Sequence, residues 1–300
     1  MDQETKIYIK GKRRELFSRG LLAKKLEVIG FTLTEGYEFS ISVYEMIKNL
    51  DKSEITKEEF DKIVYNLLKE QYTKDIAKKY YSIECWRDSS TPIWILVSGG
   101  IGVGKSTTSR RIASDLGIQH IIGTNVIRDI MRKILSPEIV PEVHVPSYRA
   151  FETLRPIYSS RFDNVIIGFE NHAKLVNMGV EAVLHRAETE NVSIVIEGEH
   201  LLPSFFDKLI AQRDNVIYLT LAVNDPNRHL ENIKEQYTSE KEELLKHFNE
   251  IRKIHDHLVN ESRIRKLPVI EVDKEDNTLK TIREIIVKRI IKINSNKKKV

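Results

Sequence analysis

Apolar residues recur at two different intervals in this chain, and the change falls near residue 90. Before it the spacing is three to four residues, one face of a helix, over Leu21–Ile29, Tyr37–Asn49 and Lys57–Tyr81. Lys6–Lys10 reads as a short strand ahead of them, and Asp51–Thr56 as a turn. Thr56, followed three residues later by Glu59, makes a capping box for the third helix. Helical spacing stops in the polar, proline-closed stretch Glu84–Pro92, the best candidate for a domain boundary. Beyond it, short apolar runs predict strands at Ile93–Ser98, His120–Ile122, Val192–Ile196, Asn215–Val223 and Pro268–Val272. Helical spacing returns at Lys105–Leu116, Val126–Leu135, Glu170–Thr189, Pro203–Arg213, Asp225–Tyr237, Ser239–Arg265 and Leu279–Ile293. Nearly continuous apolar strands alternating with helices predict a buried parallel sheet with helices on both faces. The expectation is an α/β domain over 91–300 after a small, mostly helical domain over 1–90. Ligands of such sheets bind beyond the carboxyl ends of the strands, so the chemistry belongs to residues that directly follow each strand.

Composition narrows the partners. Lys+Arg at 48 against Asp+Glu at 44 is a salt-laced surface of mixed sign, without the clustered excess of a dedicated nucleic-acid binder. The net charge of +4 still suits a small anionic substrate. No apolar stretch approaches the ~18 residues of a membrane span. The start, Met1–Lys6, has acids where a secretion signal needs basic and then apolar residues. The single cysteine, Cys85, excludes an internal disulfide and fits a reducing compartment. The expectation is a cytoplasmic protein with no membrane and no nucleic-acid partner; oligomeric state is not legible.

The clearest chemistry lies between the first strand and first helix of the larger domain. Gly99, Gly100, Ile101, Gly102, Val103, Gly104, Lys105 and Ser106 match G-x-x-x-x-G-K-[ST] in full. Glycines let successive N–H groups turn inward around phosphate oxygens, where bulkier side chains would intrude. Lys105 would set its ammonium against the β- and γ-phosphates of ATP, the Ser106 hydroxyl would ligate Mg²⁺, and Thr107 extends the contact set into the helix. The positive end of that helix adds to the attraction. The motif predicts a P-loop NTPase-type fold and an ATP-dependent phosphotransferase.

Other candidates follow the remaining strands. Val192–Ile196 ends at Glu197, where a P-loop enzyme places an acid for Mg²⁺ or for the attacking group. Glu199 and His200 read as shaping residues on the same turn. After His120–Ile122, Thr124 or Asn125 can cap a helix on which Arg128 and Arg132, four residues apart, share a face. Their forked guanidinium donors suit a phosphate or carboxylate. One of Arg149, Arg155 and Arg161 would complete that anion site. His255 and His257, two apart on a helix, point away from each other and cannot share a metal. Lys234–Lys246 reads as a solvated helical hairpin, too poor in arginine for the usual kinase lid.

These marks together resemble a known family. Gly99–Ser106, Ile122-Gly123-Thr124 with Arg128 and Met131-Arg132, Val145–Ala150, Gly168-Phe169, Glu197-Gly198-Glu199-His200-Leu201-Leu202-Pro203 and His247–Ile254 occur in the order found in 2-phosphoglycerate kinase. The resemblance covers roughly 91–293 and implies transfer of the γ-phosphate of ATP to the 3-hydroxyl of 2-phosphoglycerate. In that family the product, 2,3-bisphosphoglycerate, leads toward cyclic 2,3-diphosphoglycerate. Ile7–Arg19 is similar to the start of an ATP-cone module, which implies a nucleotide-sensing domain with Lys10, Arg13 and Arg14 as phosphate contacts. Asn125 departs from the family, which carries aspartate after Gly-Thr; an amide can hydrogen-bond a hydroxyl but cannot accept its proton. Two further readings therefore stay open: a P-loop kinase for another small hydroxylated acceptor, and an ATP-binding regulator without catalysis. A polynucleotide-end kinase is disfavoured by the modest basic balance.

Overall fold

The computed structural model describes residues 6–154, 163–273 and 277–297. The chain divides into two compact units, Met1–Thr91 with Ile282–Val300, and Pro92–Thr281. The division falls one residue past the boundary expected from sequence. The carboxyl-terminal stretch groups with the first unit, whereas sequence had placed it in the larger domain.

In the first unit, β1 (Tyr8–Lys10) pairs antiparallel with β2 (Arg14–Leu16) and parallel with β3 (Glu54–Thr56). The segment read as a turn thus ends in a strand. Helices α1 (Arg19–Glu27), α2 (Leu33–Lys48), α3 (Lys57–Gln71) and α4 (Lys74–Asp88) pack around Phe39, Val43, Ile47, Val64 and Leu68, all nearly inaccessible. The Thr56–Glu59 capping box forms as expected. Lys57–Tyr81 is two helices rather than one, because the backbone leaves helical angles at Tyr72 and the Thr73 hydroxyl accepts from Ile76 N to start α4. A single apolar stripe through both halves hid the break. Between them, the buried Glu84 carboxylate is met by Lys25 (3.2 Å), Lys57 (3.1 Å) and Arg87 (2.5 Å). The final helix α12 (Asn277–Lys297) adds a bond from Asn294 Nδ2 to Ser82 O.

The second unit is a P-loop-type α/β fold. Strands β4 (Trp94–Ser98), β5 (His120–Gly123), β6 (Ile194–Glu197), β7 (Val216–Ala222) and β8 (Val269–Glu271) form one sheet in the order β5-β6-β4-β7-β8, every pair parallel. Ile93–Val97 and Val216–Ala222 are buried at every position, which requires cover on both faces and explains the unbroken apolar runs. Trp94, Leu96, Ile194, Ile196 and Tyr218 pack on one face against Val176, Val180 and Leu184 of α7 (Asn164–Thr189). The remaining helices are α5 (Lys105–Leu116), α6 (Thr124–Ile134), α8 (Asp207–Gln212), α9 (Pro226–Gln236), α10 (Lys241–Lys246) and α11 (Phe248–Ile264). Ser239–Arg265 is broken at His247, and Pro203–Phe206 is a 3-10 turn ahead of α8. Among the described residues, no helix is long and apolar enough to cross a membrane.

Candidate active site

The glycine loop leaves β4 where its neighbours are β6 on one side and β7 on the other, the position at which strand order reverses. Gly104 closes the loop in the left-handed region (φ 83°), and no side chain caps the first turn of α5. The N–H groups of that turn are left for an anion. Lys105 Nζ donates to Gly100 O at 2.6 Å, so the ammonium lies back across the loop.

Ser106 Oγ donates to Glu197 Oε1 at 2.8 Å, joining residues 91 apart in sequence. Register explains the meeting: Glu197 ends β6 opposite Val97 of β4 and Gly123 of β5, so its side chain emerges beside the loop. A hydroxyl and a carboxylate oxygen side by side are the hard donors that Mg²⁺ takes.

A cavity of about 300 Å³ opens over this edge, and Ile101, Lys105, Ser106, Asn125, Arg128 and Glu197 all line it. Arg128 is the deepest cation from α6. Its side chain is 17% exposed, Nη2 lies 3.3 Å from Asp129, and Nε is buried with no hydrogen-bond partner. A buried guanidinium N–H without an acceptor is costly and suits an incoming anion. Arg132 and Arg149 do not line the cavity, contrary to expectation. Arg132 reaches only as far as Asp129 at 3.5 Å, and Arg149 is held by Glu152 at 2.9 Å and Glu243 at 3.2 Å. Thr107 is exposed and also off the cavity wall. Arg155 and Arg161 lie outside the described residues.

Two lining tyrosines escaped the sequence reading. Tyr148 and Tyr237 contribute phenols that burial, with Glu243 beside the first and Glu199 beside the second, pushes up to about 12, so both stay protonated donors. Tyr148 belongs to the Val145–Ala150 motif and could have been flagged; nothing local marks Tyr237. Glu199 is 5% exposed and accepts from Ser147 Oγ at 2.6 Å. Neither Thr124 nor Asn125 is the helix cap expected of one of them: α6 starts at Thr124 with Gly123 ahead of it and no side-chain cap, and the Thr124 hydroxyl instead meets His200 Nδ1 at 2.7 Å. Gly198 permits this approach, since a Cβ there would overlap the Thr124 hydroxyl.

The loop is braced from behind by α9. His229 Nε2 donates to Ile101 O at 2.6 Å, and Ile233 packs against Gly102. The arginine-poor stretch beyond α9 brings Tyr237, Glu240 and Leu244 to the cavity rather than cations. His255 packs on Gly100 and accepts from Val223 N at 3.3 Å, while His257 Nε2 lies 3.1 Å from Glu170, so the two serve different contacts.

A second cavity, about 330 Å³, lies within the first unit, lined by Lys6, Phe17, Arg19, Tyr37 and Tyr44. The Arg19 guanidinium sits 5.5 Å from the Tyr44 ring centroid and 5.8 Å from that of Tyr37. Lys10, Arg13 and Arg14 do not line it; Arg14 is paired with Glu54 at 2.7 Å and stacked over Tyr8.

Comparison with known proteins then decides the family. The chain is 34% identical over 296 residues to the 2-phosphoglycerate kinase of Methanopyrus kandleri, covering 96% of this chain and 89% of that one. It is also 34% identical over 294 residues to the enzyme so named from Methanothermobacter thermautotrophicus, with 95% and 94% covered. This chain belongs to the 2-phosphoglycerate kinase family. The relative from Methanocaldococcus jannaschii is 33% identical over 97% of this chain and 94% of its own. No protein-family model matches the chain. Two solved structures overlap it loosely. They are a gluconokinase from Sinorhizobium meliloti (15% identity, TM-score 0.37, 68% of this chain and 95% of that one) and a shikimate kinase from Acinetobacter baumannii (14%, 0.40, 70% and 97%). Membership makes the chain an ATP-dependent phosphotransferase.

Proposed function

We propose that the second unit transfers the γ-phosphoryl group of ATP to the 3-hydroxyl of 2-phosphoglycerate, giving 2,3-bisphosphoglycerate and ADP. The observation that carries the reading is the single cavity holding Lys105, the Ser106–Glu197 pair and the buried, unpartnered Arg128 Nε. The loop amides 99–104 and Lys105 would bind the triphosphate, with Lys105 exchanging its bond to Gly100 O for phosphate oxygens. Ser106 and Glu197 would hold Mg²⁺, which supplies neutralising charge at the phosphates. Arg128 would take the phosphate or carboxylate of the acceptor and leave its hydroxyl in line with the γ-phosphorus. Transfer through a loose transition state depends more on this positioning than on proton removal, so Asn125 is compatible with turnover as a hydrogen-bonding residue.

Asn125 on the cavity wall also favours one second reading, the same transfer to a different small hydroxylated acceptor. In the first unit, the aromatic cavity with Arg19 and Lys6 supports a regulatory nucleotide site. ADP release by the purified chain over a panel of hydroxy-acid phosphates and nucleosides tests these readings. Turnover with 2-phosphoglycerate well above that with water is expected. Equal rates would reject the substrate, and ATP binding without any transfer would favour a non-catalytic regulator. Lys105→Ala should abolish whatever transfer is seen.

A further inference from the structure

His200 and His172 are both fully buried, come from different elements, and touch no solvent-facing chemistry of their own. His200 follows the exit of β6 and His172 lies in α7, yet their Nε2 atoms are 3.1 Å apart with the rings nearly parallel at 11°. A contact of that length between two ring nitrogens requires one to donate and the other to accept, so the two rings cannot both be charged. Burial and the neighbouring charges of Arg128 and Lys105 agree, pulling His200 down to about 3; burial, His200 and Arg128 do the same to His172. With Nε2 engaged by His172, the Nδ1 of His200 is directed to the Thr124 hydroxyl at 2.7 Å. The chain α7–His172–His200–Thr124 therefore ends on the first residue of the helix that carries Asn125 and Arg128 into the cavity.

We propose that the His172–His200 pair is a positioning device for phosphoryl transfer: through the Thr124 hydroxyl it fixes the first turn of α6, and so sets the acceptor-facing side chains against the ATP-binding loop. The inference rests on the proposed kinase reading. Three observations carry it: the hydrogen-bonded chain spans elements 76 and 28 residues apart, a glycine at 198 is needed for Thr124 to approach, and Arg128 Nε is buried beside no acceptor of its own. A helix that drifted by even a fraction of an ångström would misplace that guanidinium while leaving the loop 99–106 intact. The two ends of the site thus depend on different supports: α9 braces the loop, and the histidine pair braces α6.

The test uses the full chain with Thr124→Val, which keeps the shape and removes the hydroxyl, and Thr124→Ser, which keeps the hydroxyl. His200→Asn, which can still offer a polar atom near the Nδ1 position, is the third variant. With ATP and 2-phosphoglycerate as probes, Thr124→Val is expected to lose roughly 10-fold or more in kcat/KM for the acceptor, the worth of one buried hydrogen bond. ATP affinity should stay within about 2-fold of the parent, since its loop has a separate support. Thr124→Ser should remain near the parent, and His200→Asn should fall between. Thr124→Val indistinguishable from Thr124→Ser would overturn the inference while leaving the kinase reading standing. So would an equal loss in ATP affinity and acceptor use, which would mark a merely structural role. A parent protein that binds ATP but transfers to no acceptor would overturn both.

Discussion

Gly102 and Gly104 have almost the same φ, 79° and 83°, but opposite surroundings. A Cβ on Gly102 would lie 2.5 Å from Ile233 Cγ1, whereas one on Gly104 would have nothing within 4 Å. Alanine at either position bears the left-handed penalty of about 1–2 kcal/mol. At Gly102 the clash with a buried isoleucine adds an overpacking cost of about 1–3 kcal/mol. Gly104→Ala should therefore lower Tm by about 2–8 °C, and Gly102→Ala by about twice as much or more, at roughly 2–4 °C per kcal/mol for a unit of this size. Ile233→Ala removes the clashing atom, so the double variant Gly102→Ala/Ile233→Ala should be less destabilised than the sum of the singles by about 1 kcal/mol. Nucleotide binding should show the reverse order, because Gly104 directly precedes Lys105 at the uncapped start of α5, whose N–H groups would meet phosphate. Thermal unfolding by circular dichroism and titration with ATP measure the two quantities. Equal Tm losses for the two alanines, or additivity with Ile233→Ala, would show that α9 does not brace the loop as described.

Two further outcomes are expected. Arg128→Ala should cut acceptor turnover by two orders of magnitude or more, whereas Arg149→Ala, whose guanidinium is already committed to Glu152 and Glu243, should change it by less than about 3-fold; steady-state kinetics with 2-phosphoglycerate decide between them. In the first unit, burial alone would raise the Glu84 carboxyl, but Lys25, Arg87 and Lys57 prevail and hold it at about 2. A carboxyl depressed in the folded state stabilises above its unfolded value near 4.3 and loses that contribution as pH falls toward 2. The contribution is about 3 kcal/mol, offset in part by Asp61, which burial pushes up. Urea unfolding between pH 5 and 2 should show this loss in the parent and a flatter profile in Glu84→Gln; the same slope in both would refute the assignment.

Much of the local structure could be read from the residues. Short, nearly continuous apolar runs between turns read as strands covered on both faces, and the glycine motif needs no distant partner to curl around phosphate; the five strands of the larger sheet and α5 fall close to where the spacing put them, whereas β2 and β3 of the first unit were not foreseen. Glu197 was legible for the same reason, as the acid that ends a buried strand. Helix breaks were not. Apolar spacing continues through Tyr72 and His247, and what interrupts the helices there is a cap or a tertiary turn that leaves the stripe intact.

What lay beyond the spacing was choice among equivalent side chains. Arg128, Arg132 and Arg149 are chemically alike, yet of the three only Arg128 lines the cavity; Arg132 lies further along the same helix with its side chain more exposed, and Arg149 is committed to Glu152 and Glu243. The Thr124–His200–His172 chain was equally hidden, since its members lie on three elements and sequence carries no record of which meet. Short-range order follows from each segment's own covalent and hydrophobic preferences. Pairings over tens of residues exist only after the sheet has brought strand ends together, and there burial, not proximity in sequence, decides which polar group must find a partner.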